Sequence, residues 1–209
     1  MKLFADMIIA VRLQEWQKAG WLQKGTGTAT VHYIDDTNTH LVNEADAFID
    51  LTYTTATNYT GYTLPAIVLV SAVTVTTALL PANFVRINAW PGFLQRPVTE
   101  LAAGSNTTQH QAIAVMEALA WDYLFAPDIP GMVTASVVSM IINEAFFALA
   151  EEVSSREEID TAMKLGTNYP YGPFEWCRKI GAQQVVELLQ ALQTTDLRYQ
   201  PAPLLLKEM

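Results

Sequence analysis

The 209-residue chain is 51% hydrophobic and 10% aromatic, enough apolar surface for the core of one large domain or two small ones. Its formal net charge is −9, and no cluster of lysine and arginine interrupts the acidic background, which argues against a protein that binds nucleic acid. The single cysteine, Cys177, cannot form an internal disulfide, and we therefore predict a cytoplasmic protein.

Short β-prone runs alternate with polar connectors over the first hundred residues, and this pattern predicts a small parallel sheet. The predicted strands are 7–11, 29–34, 47–53, 66–70 and 84–87. Apolar residues at helical spacing from 13 to 22, followed by Gly25 and Gly27, predict a helix between the first two strands and therefore a β-α-β start. The threonine-rich segment 52–63 has no helical period and is expected to be a loop.

Helical spacing begins at Thr107, and the first helix of this part is expected to end near Tyr123. The proline and glycine residues of 127–131 separate it from a helix predicted over 132–153, which is apolar on nearly all sides. Such a helix is expected to be buried inside a helical domain or at a subunit contact, which predicts a homodimer. Its serine, asparagine and glutamate residues would be costly in hydrocarbon, so no membrane span is predicted.

Three further helices are predicted after residue 154. Ser155 and Glu158 form a capping box, which begins a helix that runs to about Leu165 and ends with Gly166 in the left-handed conformation. Pro173 suits the first turn of the next helix, and Gly181 ends it. The last helix is amphipathic and precedes a proline-rich tail.

Five motifs of this C-terminal part carry a family resemblance. They are DIPG (128–131), NEA (143–145), IDTAMKLG (159–166), YPYGPFE (169–175) and RYQPAPLL (198–205). Their order and spacing resemble those of 3-hydroxyacyl-CoA dehydrogenases. The resemblance covers roughly residues 84–209 well, and the first eighty residues only as a doubly wound pattern.

The resemblance implies an α/β plus all-α protein with two domains. A reduced Rossmann-like doubly wound sheet is expected in 1–126. A helical domain, similar to the C-terminal domain of 6-phosphogluconate dehydrogenase, is expected in 127–209. This helical domain is the part through which a homodimer would form.

The N-terminal domain of that family binds NAD through a glycine-rich turn after the first strand. Here Arg12, Leu13 and Gln14 follow the strand, and their side chains would fill the space where a pyrophosphate approaches bare backbone at a helix N-terminus. We therefore predict no cofactor-binding residues and no NAD. Asp35 and Asp36 follow a strand as a ribose-binding acid would, but acids in this position more often solvate a turn.

The family's catalytic pair is a histidine, which acts as general base on the 3-hydroxyl, and a glutamate that orients it. Counting back from Glu100 by the family interval leads to Asn88, whose amide does not take a proton near neutral pH. The family's substrate-positioning asparagine corresponds to Ala135. Ser71 falls near the serine that contacts the substrate hydroxyl. Glu100, Asn88 and Ser71 are thus the predicted remnants of a catalytic site.

Two other groups of residues have side chains suited to metal binding or to an acyl pocket. His32 and His40 match no established spacing of metal ligands, and no metal site is predicted. Trp90, Phe93 and Trp176 could line an acyl pocket, but large aromatic residues more often belong to a core, and we predict core positions for all three.

Three functions follow from these observations. The prediction is a catalytically lapsed family member that binds an acyl-CoA-like ligand as a homodimer. The first alternative is a working NAD-dependent 3-hydroxyacyl-CoA oxidoreductase with an unusual cofactor loop and another base. The second is a scaffold or regulatory subunit, whose apolar helix at 132–153 joins a partner chain such as a true dehydrogenase.

Overall fold

The computed structural model describes residues 7–209, which divide into two compact units, one up to Met132 and one from Val133. The first unit contains a sheet with two α-helices, and the second is helical. This agrees with the predicted α/β plus all-α class. The predicted domain boundary, between 126 and 127, lies earlier in the chain than the observed division.

The boundary is later than predicted because the proline-glycine segment is bonded to the first unit. Asp128 Oδ2 accepts a hydrogen bond from the backbone nitrogen of Thr77 at 3.0 Å. The backbone nitrogen of Gly131 donates to the carbonyl of Val73 at 2.8 Å. The proline and glycine residues of this segment therefore belong to the first unit, and the division between the units follows them in the sequence.

Over residues 7–132, the first unit consists of seven strands and two α-helices, with 3-10 turns at Thr39–Glu44 and Thr77–Leu79. In chain order these are β1 (Ile8–Arg12), α1 (Glu15–Lys24), β2 (Thr30–Tyr33), β3 (Ala47–Asp50), β4 (Val68–Val70), β5 (Phe84–Ile87), β6 (Val98–Ala103), α2 (Asn106–Leu119) and β7 (Asp122–Phe125).

The strands form one sheet in the order β2-β1-β3-β4-β5-β6-β7. All neighbours are parallel except β5 and β6. The chain goes from β1 to β2 on one side and returns to β3 on the other, so the topological switch point of this doubly wound sheet lies between β1 and β3. The fold predicted for the N-terminal part is thereby confirmed.

The two faces of the sheet are covered differently. On one face, strand residues pack with Trp21 of α1 and with Met116 and its neighbours in α2. On the other, the cover comes from Val42 in a 3-10 turn and from the non-helical segment that follows β3, including Tyr59 and Tyr62. A fold of this type usually carries α-helices on both faces, whereas here a 3-10 turn and a non-helical segment take the place of the helices on the second face.

The five predicted strands and the helix that follows the first of them are confirmed, with ends that differ by up to three residues. The helix predicted to end near Tyr123 is wrong at its C-terminus. It stops at Leu119, because Ala120 adopts a left-handed backbone with φ 56°, and the chain then continues as β7. Strands β6 and β7 were not predicted.

The second unit consists of five α-helices and a 3-10 turn at Leu197–Tyr199. The helices are α3 (Thr134–Ala150), α4 (Arg156–Thr167), α5 (Pro173–Ile180), α6 (Ala182–Gln193) and α7 (Pro203–Leu206). Helix α3 packs against α5, α6 and α7. No helix within residues 7–209 is long and apolar enough to cross a membrane.

The helix ends of this unit mostly agree with the sequence signals. The capping box of Ser155 and Glu158 is confirmed, as are Pro173 in the first turn of α5 and Gly181 at its end, with φ 100°. The prediction for Gly166 is wrong. Helix α4 continues to Thr167, and Asn168 takes the left-handed conformation with φ 55°.

Candidate functional site

Four polar residues stand at the carboxyl ends of neighbouring strands. Arg12 and Asp50 are the last residues of β1 and β3, while Ser71 and Asn88 directly follow β4 and β5. Since these strands are parallel, their carboxyl ends lie along one edge of the sheet. Ligands of open α/β sheets bind outside this edge, at the topological switch point. The edge is therefore the candidate functional site of the first unit.

Asn88 and Glu100 form a buried pair at this edge. The side-chain nitrogen of Asn88 donates to Glu100 Oε2 at 3.0 Å, and its backbone nitrogen donates to the carbonyl of Glu100, also at 3.0 Å. Asn88 is 4% exposed and Glu100 is 6% exposed. The antiparallel pairing of β5 with β6, in which Ile87 lies opposite Leu101, brings the two residues together.

Ser71, the third predicted remnant, is half-buried and lies beside the end of β3. Its backbone nitrogen donates to the carbonyl of Asp50 at 3.2 Å, which extends the β3–β4 ladder by one residue. Because β4 is the neighbour of β5, Ser71 and Asn88 follow adjacent strands. The sequence-predicted residues thus belong to three consecutive strands of the sheet.

The switch point between β1 and β3 is occupied by the protein's own side chains. Asp50 is fully buried, and its carboxylate lies 3.6 Å from the guanidinium of Arg12. It accepts hydrogen bonds from the hydroxyls of Tyr59 at 3.0 Å and Thr52 at 2.7 Å. Arg12 in turn donates to the hydroxyl of Tyr62. The segment after β3 thus returns to the carboxyl ends of both strands.

This switch-point cluster of Arg12, Asp50, Thr52, Tyr59 and Tyr62 has a clear electrostatic consequence. Burial, followed by the proximity of the Asp50 carboxylate, raises the pKa of Tyr59 well above its usual range. Tyr59 therefore remains a neutral hydrogen-bond donor to the buried carboxylate. The cluster was not predicted from the sequence, although a charged residue at the end of each of two apolar strands was a signal for it.

The turn from β1 into α1 does not fit a dinucleotide pyrophosphate. It contains no glycine between Arg12 and Gln17. The backbone nitrogen of Gln14 donates to Gln17 Oε1 at 2.8 Å, and the buried side chain of Gln17 donates to the carbonyl of Leu51 at 3.1 Å. Glu15 adds a negative charge in the first turn of the helix, where a phosphate would need a positive field.

The remaining candidate residues have structural roles. Trp90, Phe93 and Trp176 are buried, as predicted for core residues. Asp35 is exposed, and its carboxylate accepts a hydrogen bond from the backbone nitrogen of Thr37 at 2.8 Å, so it supports a turn as expected. In the part of the chain from 7 to 209, no group of three histidine, cysteine or acidic residues could hold a metal ion.

Comparison with known proteins assigns the second unit. A family model described as the 3-hydroxyacyl-CoA dehydrogenase C-terminal domain matches residues 131–209. Residues 131–209 are therefore similar to the C-terminal domain of 3-hydroxyacyl-CoA dehydrogenases. The family resemblance predicted from the sequence motifs is thereby confirmed.

The similarity to curated relatives covers only part of each relative's length. The 3-hydroxyadipyl-CoA dehydrogenase of Escherichia coli is 40% identical over 110 residues, which are 52% of this chain and 23% of that protein. A probable 3-hydroxybutyryl-CoA dehydrogenase of Bacillus subtilis is 34% identical over 115 residues, or 53% of this chain and 40% of that protein. The chain therefore spans less than half the length of these curated relatives.

A solved structure of the family extends the comparison of folds to most of the chain. The crystal structure of (S)-3-hydroxybutyryl-CoA dehydrogenase from Ralstonia eutropha aligns with a TM-score of 0.71 and 20% identity, covering 96% of this chain and 92% of that chain. At this identity the similarity shows the fold. It supports the Rossmann-like character of the first unit.

Proposed function

We propose that this protein is a member of the 3-hydroxyacyl-CoA dehydrogenase family that has lost dehydrogenase activity and binds an acyl-CoA-like ligand without NAD. One observation carries the proposal. Asn88 stands where the resemblance expects the catalytic histidine, and its amide is hydrogen-bonded to Glu100 at 3.0 Å. An amide does not accept a proton near neutral pH, so Asn88 cannot replace the histidine as general base.

The β1–α1 turn and the switch-point cluster support the part of the proposal that concerns NAD. The side chain of Gln17 fills the turn, where it accepts a hydrogen bond from the backbone nitrogen of Gln14 and donates one to the carbonyl of Leu51. Arg12 is bonded to Asp50 and Tyr62 at the place where a dinucleotide would cross the sheet. A bound dinucleotide would have to displace these buried, hydrogen-bonded groups. The free energy of breaking their hydrogen bonds would weaken its binding.

Calorimetric titration tests the proposal without an assay for turnover. The purified protein is titrated with NADH up to millimolar concentration and, separately, with 3-hydroxybutyryl-CoA, acetoacetyl-CoA and free CoA. We expect heat of binding with a thioester and none with NADH. Micromolar binding of NADH would contradict the proposal, and so would silence with every CoA compound.

The alternative function, a working NAD-dependent 3-hydroxyacyl-CoA oxidoreductase, differs from the proposed one because it predicts catalytic turnover. It needs a base other than Asn88 and a phosphate site other than the β1–α1 turn. Absorbance at 340 nm, followed with acetoacetyl-CoA and NADH at high protein concentration, distinguishes the two functions. Sustained loss of absorbance that depends on both substrates would establish the enzyme and overturn the lapsed function.

We also propose that the cytoplasmic protein forms a homodimer through α3. Val133 and Val137 are 47% and 49% exposed, and Met140 and Ile141 continue the same helix face while half-buried. An apolar stripe of this kind suits an isologous contact with a second copy. Sedimentation equilibrium should show a dimer that Val137→Glu weakens by roughly tenfold or more.

The regulatory-subunit alternative makes a different prediction for the same helix. It requires that the chain pair with another protein, such as an active dehydrogenase, in preference to itself. Mixing with a purified dehydrogenase of the family and measuring mass by light scattering separates these cases. A stable mixed dimer would favour the regulatory subunit over the homodimer.

A further inference from the structure

The helical second unit carries an open groove on its surface. The groove has a volume of about 560 Å³ and is formed by α4, α5 and the loop between them. Three basic side chains, one acidic side chain, a proline and a tyrosine line it: Lys164, Arg178, Lys179, Glu175, Pro170 and Tyr171. In a chain with a net charge of −9, this lining is a local excess of positive charge.

Two helices bring the basic side chains together. Lys164 belongs to the last turn of α4, and Arg178 and Lys179 belong to the last turn of α5. The two helices pack against each other, and Asp160 of α4 accepts a hydrogen bond from the backbone nitrogen of Phe174 in α5 at 2.8 Å. The packing of these helices therefore fixes where the three positive charges meet.

The acidic residue of the groove is already engaged. Glu175 Oε1 lies 2.6 Å from Lys164 Nζ, and Glu175 Oε2 accepts a hydrogen bond from the backbone nitrogen of Gly172 at 2.9 Å. These two hydrogen bonds, the one from Lys164 above all, hold the pKa of Glu175 below its ordinary value. Glu175 thus balances the charge of Lys164, and the excess positive charge belongs to Arg178 and Lys179.

Arg178 and Lys179 retain donors for an anion. The guanidinium of Arg178 lies 3.7 Å from Asp160 Oδ2, beyond hydrogen-bond distance, and its side chain is 65% exposed. Lys179 forms no ion pair within residues 7–209, and its ammonium lies 4.8 Å from the ring centre of Tyr171. That ring makes an edge-to-face contact with Trp176, with ring centres 4.8 Å apart. The aromatic pair therefore supports the ammonium at the wall of the groove without using its N–H donors.

We propose that this groove binds a terminal phosphate group, as found in a diphosphate or a nucleoside diphosphate. The N–H donors of a guanidinium match two oxygens of a phosphate, and the neighbouring ammonium adds a point charge. A terminal phosphate carries a charge of about −1.5 to −2 at pH 7, which two free cations can balance. The doubly esterified phosphates of a dinucleotide carry one charge each and fit less well. The inference does not depend on the proposed function, because such a ligand needs no acyl group.

Calorimetric titration of the full chain with inorganic pyrophosphate, ADP and adenosine tests the inference. Low ionic strength is used, because salt screens charges at an exposed site. We expect saturable binding of pyrophosphate and ADP at millimolar concentration or below, and no binding of adenosine. Tighter binding of ADP than of pyrophosphate would identify a nucleotide as the ligand, and equal affinities would identify the phosphate alone. Silence with both phosphate compounds would overturn the inference.

Variants that remove charge locate the binding in the groove. Arg178→Gln should weaken pyrophosphate binding by roughly tenfold or more, the effect of one charge-assisted hydrogen bond, and Arg178→Gln/Lys179→Gln should abolish it. Both residues are exposed, so the fold of the unit should persist. Lys18→Gln removes an exposed charge from α1 and is the control, with wild-type affinity expected. Wild-type affinity in the double variant would contradict the assignment of the groove.

The double variant also separates this inference from the proposed function. CoA carries a terminal phosphate of its own, so the groove is a second place where a CoA compound can bind. Thioester binding that persists in the double variant, while pyrophosphate binding is lost, would support both proposals. Loss of thioester and pyrophosphate binding together would contradict the proposed function and support the phosphate site.

Discussion

Asn88 is tied to Glu100 twice, by a side-chain bond of 3.0 Å and by a backbone bond of 3.0 Å to the glutamate's carbonyl. The backbone bond belongs to the antiparallel pairing of β5 with β6 and does not depend on the side chain at position 88. The register therefore presents to Glu100 whichever side chain stands there. A histidine at this position would face a carboxylate, as the resemblance implies for the active enzymes.

Asn88→His should therefore give a histidine with an elevated pKa. The carboxylate of Glu100 stabilises the imidazolium, and this effect is expected to raise the pKa by about 1 to 2 units relative to the double variant Asn88→His/Glu100→Gln. The measurement is an NMR titration of the imidazole signals in the two proteins. Identical titration curves would show that position 88 does not face Glu100 in solution.

The same variant should remain inactive towards acetoacetyl-CoA and NADH. A base alone does not change the β1–α1 turn, where Gln14 and Gln17 hold their hydrogen bonds. Absorbance at 340 nm is the assay. Turnover by Asn88→His would mean that the loss of the histidine was the single obstacle to catalysis.

The parts of this site that can be predicted from the sequence are those that lie on regular strands. Asn88 and Glu100 could be identified because a fixed interval on an antiparallel pair becomes a fixed spatial relation. The switch-point cluster could not be, because Tyr59 reaches Asp50 through a loop with no periodic pattern. Strand β7 was not predicted because the apolar pattern continues without a break through Ala120. This residue ends the helix in the left-handed conformation, although it is not a glycine.

The C-terminal motifs are visible in the sequence, but the contacts that require their residues are visible only in the structure. Asp160 Oδ1 accepts a hydrogen bond from the backbone nitrogen of Phe174 at 2.8 Å. A Cβ at Gly172 would lie 2.3 Å from that carboxylate oxygen, so only glycine fits. Asn143 similarly bonds the tail at Gln200 and Ala202. These motif residues hold the helical unit together, and long-range contacts of this kind cannot be derived from spacing alone.

Tyr59→Phe should destabilise the first unit by about 1 to 3 kcal/mol, because the fully buried Asp50 carboxylate loses the donor at 3.0 Å. Tyr53→Phe is the matched control. The hydroxyl of Tyr53 makes no hydrogen bond within residues 7–209, and its ring, like that of Tyr59, packs against the core on the second face of the sheet. Urea denaturation followed by tryptophan fluorescence measures both. Equal effects of the two changes would show that the bond to Asp50 contributes nothing.

Asp128 should make the stability of the first unit depend on pH. Burial alone would raise the pKa of Asp128, but hydrogen bonds from Thr77 and Arg86 outweigh it and hold the pKa below its ordinary value. A carboxyl whose folded pKa is depressed contributes stability above its unfolded pKa, near 3.9, and loses it as pH falls through the folded value. The contribution is therefore present at pH 7 and disappears in acid.

Asp128→Asn should accordingly lower the free energy of unfolding at pH 7 by about 2 to 4 kcal/mol, because the fully buried Arg86 side chain loses its charged partner while Asp128 itself is partly exposed. The gap between variant and wild type should narrow from pH 5 towards pH 2. Tryptophan fluorescence is a suitable probe, since Trp176 is the second unit's one tryptophan and the other four belong to the first. A gap that does not change with pH would refute the assignment.

Cys177 should be an unreactive thiol in the folded protein. It is 5% exposed, and burial, with a smaller effect from Glu208, raises its pKa to about 11. At pH 8 only about one thiol in a thousand is then ionised, and the thiolate is the reactive species. Ellman's reagent should label the native protein at least a hundredfold more slowly than the protein in guanidinium chloride. Because the chain has one cysteine, Cys177→Ser gives the background rate, and equally fast labelling of native and denatured protein would show that α5 does not bury the thiol.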